Sequence, residues 1–304
     1  MNKYEVIIIG AGPCGMRVAL ELKKQNVSFL LLDPGTPGGK VNVAPRVDNY
    51  PGFKEIPGPD LAVALFTRLV DASIEITPEE VLSLTKDGDI FNVKTDYNEY
   101  QAQYVVIASG TKERQLGLEN EDKLFGHGLS YCALCDGHFF KGQDVIVIGG
   151  GNTALKEAIH LTHVAKKVYL IHRRNEFRGS NKLVDELKGS PNVEILTPYI
   201  PNKLLGEDKV TGIEIAHRET GETRIIELQG IFPAVGQNPN TQFVNIDGVL
   251  NEWKTIPVTM KTMETSCPNL FAGGDVLPRD IRQIYLAEHD GIIISKIILE
   301  RLGK

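Results

Sequence analysis

No stretch of this chain is long and apolar enough to span a bilayer. The longest apolar runs, "VIIIG" at 6–10 and "GIIISKIIL" at 291–299, fall far short of the roughly 20 residues a helical span needs. A secretory leader is not expected either, because only Lys3 precedes the first run and no small-residue cleavage site follows it. Basic residues are not in excess. With 33 Lys and Arg against 39 Asp and Glu, the net charge is −6, which leaves no electrostatic footprint for nucleic acid. Cysteine is scarce at four residues, too few for a disulfide scaffold and in keeping with a reducing, cytoplasmic compartment. The seven histidines show neither metal spacing nor a catalytic constellation.

What is present is the composition of a globular protein, 42% apolar and 24% charged. A length of 304 residues is comfortable for two domains. The chain opens with "YEVIIIGAGPCGMRVALELKKQNVSFLLLD", an apolar run, a glycine-rich turn, a helical pattern and a second apolar run ending in Asp33. Gly10, Gly12 and Gly15 match the dinucleotide fingerprint. The first glycine permits the tight turn, the second lets the backbone approach a pyrophosphate, and the third lets helix pack on strand. Asp33 stands 23 residues after Gly10, where a carboxylate accepts a hydrogen bond from a ribose hydroxyl.

The same construction returns in "DVIVIGGGNTALKEAIHLTHVAKKVYLIHRR". Gly149, Gly151 and Ala154 repeat the turn, and the second strand ends at His172, again 23 residues on. The acid is replaced by His172, Arg173 and Arg174, with Arg178 four residues beyond Arg174. A ribose 2′-phosphate repels a carboxylate and attracts guanidinium groups, so this end predicts NADPH. The acid-ended turn suits FAD, and together the two sites predict a flavoprotein that accepts hydride from a nicotinamide.

The second unit is predicted to be inserted into the first. "YVVIASGTKER" is an apolar strand that breaks at Gly110, and "GIFPAVGQNPNT" has the Gly, Pro and Asn content of a linker. "NLFAGGDV" predicts a short strand with a glycine turn, and "RQIYLAEHDGIIISKIILERL" a closing helix. The expected division is 1–112 joined with 242–304 as the FAD-binding domain, and 113–241 as the NADPH-binding domain. Hinges are expected near Gly110 and Gly236–Thr241.

Just ahead of the second turn lies "SYCALCDGHFF". Zinc needs about four ligands, and a second C-x-x-C or His pair is missing. A structural disulfide between Cys132 and Cys135 closes too small a loop to stabilise much. Redox exchange is the common use of such a pair in a cytosolic protein. A helix start beside it favours the thiolate, and Asp136 is placed to move a proton. Cys14 and Cys267 read as small packing residues. Tyr131, Phe139 and Phe140 are open between core and docking surface.

"GAGPCG", "NYPG", "CALCDG", "GGGNTA", "HRRNEFR" and "FAGGDV…RQ" occur in an order that resembles the low-molecular-weight thioredoxin reductases. The resemblance spans nearly the whole chain. It implies an α/β fold of two Rossmann-like, three-layer β/β/α dinucleotide-binding domains, the second inserted into the first and carrying the pair. It implies that Cys135 faces the flavin, that Cys132 attacks thioredoxin, and that Asp136 is the acid–base residue. It places Gly38, Gly39, Lys40, Asn49, Asp275, Arg282 and Gln283 at the FAD, and His172, Arg173, Arg174 and Arg178 at the 2′-phosphate. It also implies a homodimer whose NADPH domain rotates during turnover. Lys40 stands where Gln is usual, Glu288–His289–Asp290 replace smaller residues, and His127 and His138 replace a basic residue and an aromatic. Other readings on this scaffold are a dithiol oxidase, a ferredoxin-dependent reductase, a ferredoxin–NADP reductase that needs no cysteines, and a non-catalytic redox sensor.

Overall fold

The first apolar run forms β1 (Asn2–Ile9), and Pro13 starts α1 (Pro13–Lys24), where a missing N–H costs nothing. β2 (Phe29–Leu32) follows and pairs parallel with β1. After α2 (Gly58–Asp71) come β3 (Val81–Asp87), β4 (Ile90–Thr95) and β5 (Glu99–Ile107). The computed structural model describes residues 2–44, 47–279 and 281–304. β5 is shared between two layers. Its first half joins the antiparallel meander β3-β4-β5, and its length pairs parallel with β1.

β6 (Thr111–Glu113) leads into the second unit. There α3 (Glu121–Leu124) and α4 (Ala133–Asp136) precede β7 (Asp144–Ile148), α5 (Asn152–Thr162), β8 (Lys167–Ile171), α6 (Asn181–Lys188) and β9 (Val193–Leu196). β10 (Tyr199–Leu205), β11 (Gly212–His217) and β12 (Thr223–Glu227) form an antiparallel meander, and β13 (Gly230–Pro233) returns beside β7. The parallel sheet runs β13-β7-β8-β9. β5-β1-β2 and β13-β7-β8 are therefore the same motif built twice, each completed by a three-stranded meander. β14 (Gln237–Pro239) leads back to β15 (Leu270–Ala272), which pairs parallel with the end of β5, and to α7 (Ile284–Arg301).

The chain divides into Met1–Lys112 with Asn238–Lys304, and Glu113–Gln237. The second crossing thus falls at Asn238 rather than at 242. Asn240 explains the difference, since it exchanges hydrogen bonds with Ser109 and donates its N–H to the Gly110 carbonyl. Thr241 adds a bond to the Lys254 carbonyl at 2.8 Å. β6 and β14 pair with each other where the chain crosses. One apolar core fills the first unit around Ile7, Ile8, Leu22, Phe91 and Phe271; two clusters, around Ile213 and Phe232, fill the second. Among the described residues no helix is long and apolar enough to cross a membrane.

The first glycine turn owes its shape to steric necessity. Gly10 has φ +106°, and a Cβ there would lie 2.4 Å from the Ala108 carbonyl oxygen. A Cβ on Gly15 would lie 1.8 Å from the Gly10 carbonyl oxygen, so α1 sits against the turn at a distance only glycine allows. Gly15→Ala is expected to destabilise the first unit by about 3 kcal/mol or more, because backbone must move to admit the methyl group. Urea denaturation followed by circular dichroism reads the loss directly.

Candidate active site

The two glycine turns present the same cradle. In α1 and α5 the N-cap residues are Gly12 and Gly151, and neither helix start has a side-chain cap. A Cβ added at either glycine would meet nothing within 4 Å, whereas one at Gly10, Gly15 or Gly149 would collide with backbone. Uncapped helix N–H groups facing open space across a glycine fit a pyrophosphate, so both turns suit a dinucleotide.

Around the first turn the nominated residues converge. The Asp33 carboxylate, at the end of β2, accepts the Ala11 N–H at 2.6 Å and the Gly35 N–H at 2.8 Å, which holds it beside the turn. The Gly38 N–H donates to the Ala11 carbonyl at 2.8 Å, and a Cβ on Gly39 would lie 3.7 Å from the Gly12 Cα. Gly38 and Gly39, at φ +104° and +55°, thus turn the following segment back over the cradle. Lys40 Nζ lies 3.6 Å from Asp275 and 3.4 Å from the Thr111 hydroxyl. Arg282 Nε donates to the Asp275 carbonyl at 3.4 Å, and the Asn49 amide donates to Gln283 at 2.9 Å. Segments far apart in sequence therefore meet at the carboxyl ends of β1, β5 and β15.

Asp290, read from the sequence only as a departure, holds the turn just ahead of Asp275. It is buried on α7, accepts the Gly274 N–H at 2.8 Å and pairs with Arg279 at 3.0 Å. Glu288 on the same helix accepts the Tyr50 hydroxyl at 2.7 Å and meets Arg68 at 3.3 Å. Burial, then the Glu288 contact, pushes the Tyr50 phenol up to about 12.

At the second turn the basic cluster divides. Arg173, Arg174 and Arg178 are exposed, while His172 is buried, its ring lying so close to Gly150 that a Cβ there would approach it to 2.3 Å. His172 stacks on Phe177 with centroids 5.4 Å apart. Burial, and then the three arginines, lower its pKa, so it is a neutral packing ring. The Arg178 and Gly179 N–H groups donate to the Gly150 carbonyl at 2.8 and 3.1 Å, which brings the arginine loop back to the glycine turn. Ala154, in the third glycine position, packs where a Cβ on Gly149 would meet it at 2.9 Å.

Cys132 and Cys135 are joined by a disulfide with Cα atoms 5.3 Å apart. The helix expected after the pair begins inside it. Cys132 is the N-cap of the single turn α4, and its sulfur accepts the Cys135 N–H at 3.1 Å. An N-cap sulfur receiving a backbone N–H is favoured as thiolate. Ser130, which the sequence did not single out, ties the site together. Its oxygen accepts the Cys132 N–H at 3.1 Å, and its hydroxyl donates to Asp136. Burial raises the Asp136 carboxyl, partly offset by Ser130 and His138, and its Oδ1 has no hydrogen-bond partner. Tyr131 donates to the buried Glu121 carboxylate at 2.6 Å, and Glu121 also takes the Leu116 and Gly117 N–H groups. Phe140 packs edge-on against Phe232 and so belongs to the core, whereas Phe139 and Leu134 are exposed beside the pair. His127 and His138 are exposed as well. Cys14 is a buried thiol raised by its burial, and no metal-holding cluster occurs among the described residues.

Two nucleotide cradles and a two-residue-spaced disulfide on one α/β chain define a nicotinamide-linked disulfide oxidoreductase. The chain belongs to the pyridine nucleotide-disulphide oxidoreductase family, which it matches over residues 4–291. Within it, the chain is 38% identical over 291 residues to a thioredoxin reductase of Mycoplasma pneumoniae, covering 95% of this chain and 92% of that one. It is 35% identical over 297 residues to that of Bacillus subtilis, covering 97% and 93%. The thioredoxin reductase structure from Streptococcus pyogenes superposes with a TM-score of 0.89 at 37% identity, covering 99% and 98%. The resemblance read from the motifs, and the α/β fold it implied, are borne out.

Proposed function

We propose that the protein reduces the disulfide of a thioredoxin with electrons from NADPH, through FAD and the Cys132–Cys135 pair. The observation that carries this reading is a disulfide at a helix N-terminus on the unit that also carries the arginine-ended cradle. Gly10, Gly12, Gly15 and Asp33 would hold the adenosine diphosphate half of FAD, with Gly38, Gly39, Lys40, Asn49, Asp275, Arg282 and Gln283 around the rest. Gly149, Gly151, Ala154 and the three arginines would hold NADPH, with His172 supporting the turn from beneath. FAD supplies, when bound, the two-electron relay between nicotinamide and sulfur.

The chain's own groups do the remaining work. Opening the disulfide takes two electrons and leaves two thiolates, which take up two protons. Asp136, its carboxyl raised by burial and next in sequence to Cys135, would deliver and take up a proton, while Ser130 fixes the carboxyl's direction. The Cys132 thiolate, held by the Cys135 N–H, attacks one sulfur of the partner disulfide and expels the other as thiolate. Cys135 then attacks the mixed disulfide, which restores the Cys132–Cys135 bond and releases the reduced partner. Leu134 and Phe139 offer apolar surface for that partner beside the sulfur. The paired crossing segments at Gly110 and Gly236 serve as the hinge for alternation between nicotinamide and dithiol access. A cytoplasmic homodimer completes the reading, and the thiols of Cys14 and Cys267 fit a reducing compartment.

Steady-state assay with NADPH and thioredoxin tests the proposal, with one NADPH consumed per disulfide reduced. Consumption unaffected by omission of thioredoxin contradicts it. Asp136→Asn is expected to slow turnover by roughly 100-fold, a general acid–base loss. It should also remove the ionisation of Asp136, raised above the ordinary carboxylate range, from the pH–rate profile. A pH–rate series on both proteins checks this.

A further inference from the structure

Glu157 belongs to neither cradle nor the pair, yet its carboxyl reaches the redox helix. It lies on α5 and is only 7% exposed. One carboxyl oxygen accepts the Ala133 N–H, the first donor of α4 and the peptide that follows Cys132. Its Oε2 has no hydrogen-bond partner and less than 1 Å² of accessible surface. Among the described residues no cation compensates it. The charge acting on it is Glu113 on β6, of the same sign. An uncompensated buried carboxylate is costly, and a neutral carboxylic acid is what such a place holds.

The other groups around α5 are engaged elsewhere. On α4, Asp136 is bonded to Ser130, and on α5 itself His160 is held down by burial and by His163. Lys167 of β8 pairs with Glu194, Asp144 of β7 lies 4.0 Å from Lys166, and Asp185 and Glu186 of α6 line a groove beside Thr162.

We propose that Glu157 is a positioning residue of the dithiol: as a neutral acid it holds the first turn of α4, and its ionisation and that of the Cys132 thiol oppose each other. Burial, with Glu113 adding to it, carries the Glu157 carboxyl up to about 8, out of the ordinary carboxylate range and into the region where cysteine thiols titrate. The two then share macroscopic titration steps. Each ionisation releases one proton to solvent and moves no electrons. The Glu157 carboxyl meets the peptide N–H that follows Cys132, so its contact lies one residue on from the sulfur-bearing residue. A like charge at such range shifts a group by roughly one pH unit. Linkage makes the effect reciprocal. The consequence is a dithiol whose nucleophilicity rises over a higher pH range than the thiols alone would dictate.

This rests on the redox reading of the pair but not on NADPH or thioredoxin, and the test uses neither. The flavin-containing protein is compared in disulfide form and after reduction by a small dithiol that is then removed. Infrared difference spectra follow the protonated-carboxyl band against pH, with Asp136→Asn removing the buried acid next to the pair and Glu157→Gln assigning the band. Alkylation of the Cys132 peptide by iodoacetamide is followed by mass spectrometry in wild type and Glu157→Gln. Gln keeps the acceptor for Ala133 and places an amide where the acid carries its proton, so the fold is expected to persist. Either the carboxyl band holds its proton about one unit higher in the dithiol form, or Cys132 titrates about one unit lower in E157Q; both express the same coupling. Alkylation at about pH 6, where Glu157 carries its proton, is expected to agree within twofold, which a merely structural defect would not give. If both titrations are unshifted, the coupling is absent and the proposal is overturned. Should E157Q fail to fold, the carboxyl band in the two redox forms decides alone.

Discussion

Replacing either cysteine of the pair is expected to end thioredoxin reduction while leaving the flavin reducible by NADPH. Loss of a nucleophile that acts as part of a unit costs roughly four orders of magnitude or more, and Cys132→Ser or Cys135→Ser removes one sulfur of the only disulfide among the described residues. Serine at 132 still offers an N-cap oxygen to the Cys135 N–H, so α4 should form and the loss should be chemical. Bleaching of the flavin by NADPH draws on the cradles alone and should stay within about threefold of wild type, since the pair contributes nothing to nucleotide binding. The outcome separates the scaffold's alternatives. A ferredoxin–NADP reductase would keep full activity in the double variant, and a partner-binding sensor would show no turnover to lose. Stopped-flow absorbance for the flavin and an insulin-coupled assay for thioredoxin supply the two readings.

The second large effect concerns the choice of nicotinamide. Arg173→Ala with Arg174→Ala is expected to lower kcat/KM for NADPH by about 100-fold and to leave NADH within about threefold. The estimate takes about 1.5 kcal/mol for each charge-assisted hydrogen bond to a phosphate, and roughly 1.4 kcal/mol per factor of ten. Both side chains are exposed beside a loop that Arg178 N–H ties to Gly150 at 2.8 Å, so little folding stability should be lost. His172 makes an instructive contrast. Because it is buried against Gly150 and Phe177, His172→Ala should reduce thermal stability and affect NADPH and NADH alike. Steady-state kinetics with each nucleotide tell specificity from packing.

Much of the molecule was legible because its design is local and periodic. The two glycine turns, their flanking strands and the residue that ends each second strand obey spacing rules that sequence carries directly. So did the C-x-x-C pair, whose meaning depends on which other ligands are missing. The parts that escaped depend on partners brought together only by tertiary packing. His172 occupied a ribose-reading position, yet its ring is buried against Gly150 and Phe177, while the three arginines stay exposed. Ser130 looked like an ordinary polar residue until its oxygen was found between Cys132 and Asp136. Asp290 and Glu121 support their sites through backbone N–H groups, which no side-chain pattern announces. Asn240 drew the second crossing back to Asn238 through bonds to Ser109, a residue on the far side of the insertion.

Glu157 left a faint trace. It lies three residues after Ala154 and four before Leu161, within the buried stripe of α5 that also contains Ala158. A carboxylate in an apolar helical stripe is a conflict between pattern and residue, and such conflicts mark sites where a side chain serves something other than the core. The burial of Glu157 and its bond to Ala133 could come only from the packing of α5 on α4.

The most direct test of the electron route is an anaerobic titration of the purified flavoprotein, first with NADPH and then with oxidised thioredoxin, recording the visible spectrum. NADPH should bleach the flavin, and thioredoxin should restore its colour in wild type but not in Cys132→Ser. Recovery of the oxidised spectrum by thioredoxin in that variant, or a flavin that NADPH leaves unbleached, would contradict electron flow through the sulfur pair.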